Sequence, residues 1–237
     1  MRICVISAME SEHRQLAGRL EERTNETDGI YNYTIGKIGG NELVLMQCGI
    51  AKVNAALGTQ AAINRYKPDC VLSTGVAGGI DNSLKVGDVV ASSKVVHHDV
   101  WCGDGNEQGQ VQGLPTFLPV SEPLLKHALS LNKTHHEDKT RIVGGLICTG
   151  EQFISDKQHL AYIKKTFPDG MAVDMESAAI AQTCYIYGVP FLSFRIISDT
   201  PGATADNFSQ YTDFWKEIAQ SCFHATWSFL YTLPEKL

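Results

Sequence analysis

The sequence predicts an α/β fold, one domain over residues 1–237 with a mixed, mostly parallel central sheet and helices on both faces. Three observations carry that expectation. Short apolar runs alternate with amphipathic segments from end to end, the pattern of strands covered on both sides by helices. One stretch breaks the alternation as a hairpin and so adds antiparallel pairing. The 237 residues suffice for one sizeable core, and no repeat, low-complexity tract or linker divides them.

The elements follow in order. "RICVISA" (2–8) is a short apolar run bounded by polar residues, hence a buried strand. "ESEHRQLAGRLEER" (10–23) predicts a helix whose inward stripe is Leu16 and Leu20. "YNYTIGKIGGNELVLMQCG" (31–49) predicts two strands turning at Gly39-Gly40-Asn41. "AKVNAALGTQAAINRY" (51–66) is alanine-rich and helical, and ends before Pro68. "CVLSTG" (70–75) reads as a strand with a glycine-rich exit, and "GDVVASSKVV" (87–96) as another. "CGDGNEQGQVQGLP" (102–115) is a long exposed loop, a class that is usually functional or disordered. "EPLLKHALSL" (122–131) is a helix and "RIVGGLICTG" (141–150) a strand. Helices near 156–166 and 174–187, the strand "PFLSFRIIS" (190–198) and a long helix near 208–231 complete the chain.

Composition excludes several classes of function. Hydrophobic residues at 43% against 19% charged describe a folded chain, not a disordered one. A net charge of −6 without any Lys/Arg-rich run argues against nucleic acid or an anionic membrane as partner. "MRICVISAME" is too short an apolar run, too soon followed by acids, for a signal peptide. No apolar stretch approaches the roughly 20 residues needed to cross a bilayer. The seven cysteines are odd in number and scattered, without Cys-x-x-Cys or Cys/His ligand spacing. Cys4, Cys48, Cys70 and Cys148 sit in strand-like runs as small hydrophobes. His97-His98-Asp99 would alternate between faces of a strand, which disfavours a metal site. The expected compartment is the cytoplasm, with no disulfide framework and no metal.

Ligands of open α/β sheets gather beyond the carboxyl ends of the strands, and carboxylates stand there at three places, one of them a pair. Glu12 extends the Leu16 stripe one turn towards the strand end. The helix dipole alone would favour a solvated acid at that position, but a carboxylate withdrawn from water acquires a raised pKa and suits acid–base work. Asp199 ends the apolar run containing Arg195. It is either a turn former ahead of Thr200-Pro201-Gly202 or a functional acid. Arg195, on a strand with no exposed face, needs a buried partner. In "AVDMESAAIAQTC" (172–184), Asp174 serves as a helix N-cap and Glu176 as a first-turn acid. The apolar setting of Glu176 leaves it short of donors, and a sugar diol supplies two hydroxyls.

These strings resemble the purine-nucleoside phosphorylase/hydrolase superfamily and, within it, the bacterial 5′-methylthioadenosine/S-adenosylhomocysteine nucleosidases. "AMESE" stands at the start, "GIAKVNAA" resembles that family's G-I-G-K-V-x-A-A, and "TGVAGG", "LKVGDVV", "TGEQFI", "AVDMESAAIA" and "RIISD" follow in family order. The resemblance implies a nucleoside phosphorylase-like fold and hydrolysis of the N-glycosidic bond of 5′-methylthioadenosine and S-adenosylhomocysteine, with 5′-deoxyadenosine as a further substrate. It implies no cofactor, and a homodimer. Glu12 would activate water with Arg195 helping to hold it, and Asp199 would protonate the base. Glu176 would bind the ribose hydroxyls, with Met175 against the sugar. Phe153 would stack on adenine and Ile154 read its edge. Met9 and Ile50 would line the 5′ pocket, with Val76, Ala77, Gly78, Ser198 and Tyr211 also in contact with substrate.

Three departures bear on specificity. Val76 stands where many relatives have Ser, either Phe208 or Tyr211 would cap the pocket, and loop 101–117 differs from the family's. That loop is the candidate for entering the neighbouring subunit's pocket, the alternative being a plain surface loop. The acids of "MESE" would repel phosphate and favour water as nucleophile. A phosphorylase, a hydrolase of futalosine or inosine-like nucleosides, and a non-catalytic nucleoside-binding module remain the rivals.

Overall fold

The computed structural model of the chain describes residues 1–133, 140–201, 207–217 and 219–236, with backbone alone at 220–222. Gly202 and the Cys222 side chain lie outside the described residues. The order is β1 (Arg2–Ser7), α1 (Glu10–Ala17), β2 (Glu21–Asp28), β3 (Tyr31–Ile38), β4 (Asn41–Gln47), α2 (Lys52–Tyr66), β5 (Cys70–Gly79) and β6 (Val89–His97). There follow α3 (Glu122–Ser130), β7 (Ile142–Thr149), α4 (Lys157–Thr166), β8 (Gly170–Asp174), α5 (Ser177–Tyr187), β9 (Phe191–Asp199), α6 (Asn207–Glu217) and α7 (Ala219–Thr232).

All of these strands join one mixed sheet in the order β2-β3-β4-β1-β5-β8-β7-β6-β9, and β9 pairs back onto β5. Five strands (β5, β8, β7, β6, β9) therefore close a circuit, and β1, β4, β3 and β2 extend from β5 as an open wing. β1–β4, β1–β5, β5–β9, β6–β7 and β7–β8 are parallel. β2–β3, β3–β4, β5–β8 and β6–β9 are antiparallel. Strand periodicity sorts the core into two layers. Ile3 and Val5, Leu43 and Leu45 face the layer of α1, α3, α6 and α7. Cys4 and Ile6, Val44 and Met46 face the layer of α2 and α5.

Three expectations need correction. The helix predicted over 10–23 stops at Ala17, and residues 21–28 form β2. Seven of its eight side chains are exposed, so this edge strand carries no apolar alternation. Leu20 is consequently off the helix, although Leu16 and Glu12 do share its buried side. "TGVAGG" belongs to β5 and is not an exit loop. There β5 turns from β9 towards β8 at close quarters: a Cβ on Gly79 would come within 2.9 Å of Ile197, and one on Gly78 within 3.1 Å of Val173. The helix predicted from 174 starts at Ser177, because residues 170–174 pair with β7 as a strand. The closing helix expected near 208–231 corresponds to α6 and α7, with residue 218 between them outside the described residues.

Candidate active site

β1, β5, β8 and β9 end around one cleft of about 650 Å³, part of it open to solvent. Glu12, Glu176 and Asp199 all face it. So do Met9, Ile50, Val76, Phe153, Ile154, Met175 and Tyr211. Ala77, Gly78, Arg195 and Ser198 complete the set named from the sequence, with none left outside. Ala8, Gln152, Val173 and Pro201 line the cleft as well, and their residue types gave no signal beyond adjacency to residues already named.

Glu12 occupies the first turn of α1 and is buried. Its Oε2 accepts from the Ala8 and Met9 amides at 2.9 and 3.0 Å, and its Oε1 from the Val76 amide at 3.1 Å. Burial raises its pKa, against the pull of Arg195 and these amides. Gly75 makes the arrangement possible. Its φ is +147°, and a Cβ there would press on the Glu12 carboxylate and lie 2.7 Å from Arg195 Nη1.

Arg195 is fully buried in β9, with every neighbour in that strand buried too. Its Nε faces Asp174 Oδ2 at 3.0 Å and its Nη2 faces Glu176 Oε2 at 3.4 Å. Nε also donates to Ser177 Oγ at 3.2 Å, and Nη2 to Ser73 Oγ at 2.9 Å. Asp174 is thus the partner that the sequence required without identifying. Asp174 also accepts from the Ser177 amide at 3.3–3.4 Å, so it steadies the start of α5 while ending β8.

Glu176 stands at the N-cap of α5. Burial pushes its pKa up to about 7, opposed by Arg195 and reinforced by Asp174. Its Oε1 accepts from the Ala51 amide at 3.0 Å. Ala51 has φ +79° and ψ 167°, a region that only glycine enters freely, and it stands where the family string has Gly. The site therefore holds a strained alanine. Ala51→Gly is expected to raise stability by about 1–2 kcal/mol, read as a higher urea midpoint at unchanged m-value; an unchanged or lower midpoint contradicts the strain.

Asp199 ends β9 with both oxygens engaged: Ser198 Oγ donates to Oδ1 at 2.7 Å and Asn207 Nδ2 to Oδ2 at 3.0 Å. Burial raises its pKa, against these two donors. At the mouth, Phe153 is 43% exposed and meets Tyr211 and Phe208 edge-on, at 5.8 and 6.3 Å between ring centroids. Of the two candidate caps, Tyr211 is the one on the cleft wall, and its hydroxyl donates to Met9 Sδ at 3.4 Å. No residue of loop 101–117 reaches this cleft. The set can hold a neutral ligand between an exposed aromatic ring and buried acids that burial shifts towards their protonated forms.

Comparisons with known proteins point the same way. The profile of a family described as the "Phosphorylase superfamily" matches residues 2–230. A protein of Bacillus thuringiensis (strain Al Hakam) named 5′-methylthioadenosine/S-adenosylhomocysteine nucleosidase is 42% identical over 239 residues, covering all of both chains. The Neisseria meningitidis nucleosidase of that name, solved with methylthio-immucillin-A, is 34% identical with TM-score 0.91, covering 98% of this chain and 99% of that one. The Colwellia psychrerythraea enzyme, solved with adenine, is 34% identical with TM-score 0.93, covering 100% and 97%.

Proposed function

Because the chain belongs to the phosphorylase superfamily and to its 5′-methylthioadenosine/S-adenosylhomocysteine nucleosidases, we infer that it is an N-glycosyl hydrolase. It cleaves 5′-methylthioadenosine and S-adenosylhomocysteine, and 5′-deoxyadenosine with them, to adenine and the ribose product. The roles run as follows. Water between Glu12 and the sugar attacks C1′, and Glu12 takes its proton. Asp199 gives a proton to N7 of the purine, so that the C1′–N9 electron pair leaves on a neutral base. The sugar passes through an oxocarbenium-like state. Glu176 receives the two ribose hydroxyls, and Met175 packs on the ring. Phe153 stacks on adenine, the Ile154 backbone meets its edge, and Met9, Ile50, Val76 and Tyr211 surround the 5′ group. Arg195 Nη1, beside the Glu12 carboxylate, helps to hold the water.

One observation carries hydrolysis over phosphorolysis. Among the described cleft residues Arg195 is the only cation, and Glu12, Asp174 and Glu176 already crowd it. A dianionic phosphate would meet carboxylates with no spare cation to hold it. Adenine release from 5′-methylthioadenosine is therefore expected at the same rate with and without phosphate, yielding free 5-methylthioribose. Strict dependence on phosphate, or turnover of inosine alone, would overturn the reading.

The enzyme acts as a cytoplasmic homodimer. Val53 and Leu57 on α2 and Ile186 on α5 are 52–68% exposed on neighbouring helices, an apolar face of the kind that subunits cover. Loop 101–117, carrying the exposed Trp101, closes the partner's cleft. Light scattering is expected to give twice the 26.0 kDa chain mass, and Val53→Glu with Leu57→Glu to give monomers of reduced turnover; a monomeric wild type would refute the assembly.

A further inference from the structure

Asn207 is a buried polar side chain for which the reaction above has no use, yet it joins the two parts of the site that handle the base. It is the first residue of α6, 4% exposed, and stands behind the cleft wall, not on it. Its Nδ2 donates to Asp199 Oδ2 at 3.0 Å and to the Ile154 carbonyl at 3.1 Å. An amide nitrogen carries two protons, so one group serves both acceptors. With Ser198 on Oδ1, the Asp199 carboxyl is held at both oxygens. One turn further along α6, Gln210 Oε1 accepts from the Thr200 amide at 2.9 Å and its hydroxyl at 3.2 Å. The same helix side thus grips the end of β9 at two points.

We propose that Asn207 is a positioning residue for protonation of the leaving base, fixing the Asp199 carboxyl and the Ile154 backbone at one spacing. The inference rests on the reading of Asp199 as the proton donor to a purine. Proton transfer needs donor and acceptor within about 2.6–3.2 Å, and a misplacement of about 1 Å can cost 100-fold. A carboxyl free to turn about its last single bond would lose that register, whereas a clamp anchored to the base-reading segment keeps it. The other ionisable groups set around Asp199 are Glu12 and Glu176 across the cleft, Arg195 on the same strand, and Tyr211 on α6.

The test compares two substrates. Adenine of 5′-methylthioadenosine needs a proton to leave, whereas the p-nitrophenolate of a 5-methylthioribosyl p-nitrophenyl glycoside does not. Asn207→Leu, of similar volume but without donors, is expected to lose about 100-fold in kcat on the nucleoside and to keep wild-type turnover of the glycoside. Equal losses on both substrates, or none on the nucleoside, overturn the proposal. Asn207→Asp, the same shape with an added acid, covers a failure of the leucine variant to fold. The added acid beside Asp199 holds the proton on to higher pH, so the alkaline limb of kcat/KM for the nucleoside moves up; an unmoved limb also overturns the proposal. Wild-type protein inert on 5′-methylthioadenosine would remove the functional reading and the inference with it, whereas active wild type with indifferent Asn207 variants removes the inference alone.

Discussion

Glu12→Gln is expected to reduce adenine release by about 10³-fold, inside the 10²–10⁴ range that a positioned base supplies, and to leave nucleoside binding in place. Glutamine cannot take the proton from water. Nor can it reproduce the local bonding: Glu12 accepts on both oxygens, from Ala8 and Met9 on one and Val76 on the other. A glutamine has one acceptor and must turn its NH2 towards a donor. That mismatch costs about 1–3 kcal/mol and appears in thermal unfolding, separately from the catalytic loss. Steady-state release of adenine and calorimetric binding of a non-hydrolysable nucleoside read the two effects. Turnover within tenfold of wild type would remove Glu12 as the base.

The largest effect on stability comes from Arg195→Met. The side chain is 1% exposed and faces Asp174 and Glu176 directly, with Glu12 close by. Removing one partner of a buried pair costs about 3–5 kcal/mol, a large share of the about 5–15 kcal/mol that holds a domain folded. The loss depends on pH. Without the cation, Glu12 and Glu176 have pKa values raised further above their unfolded values, Glu176 starting from about 7. Stability tied to a raised carboxylate is fully present below the unfolded pKa and is lost as pH rises through the folded one. The variant's deficit in urea unfolding is therefore smaller at pH 5 than at pH 8. A deficit independent of pH would mean that packing, not charge, is what Arg195 contributes.

The parts of the fold legible in the sequence were those in which apolar periodicity and chain punctuation agree. β1, the β3–β4 hairpin, α2, β7 and β9 stand within a residue or two of their expected bounds. β2 was illegible because a strand exposed along its length leaves no alternation to read. β8 was illegible because five residues running straight into an alanine-rich helix look like its beginning. In the site, acids at strand ends could be picked out because burying a carboxylate needs a reason that sequence context partly supplies. Asp174 as the counter-charge of Arg195, and Asn207 behind Asp199, could not. These contacts join separate elements, and neither local spacing nor residue type announces them.

The circuit of strands has a consequence for how the molecule is made. β9 supplies the guanidinium and pairs with β5 across more than a hundred residues, as in the bond from Arg195 to Ser73, 122 positions apart. During synthesis Glu12, Asp174 and Glu176 all leave the ribosome before it, and their mutual repulsion goes unanswered until that strand docks. Such distant pairing is slow to form. The pocket is accordingly incomplete until β9 has docked, and a nascent chain halted before β9 carries acids without the charge that reconciles them.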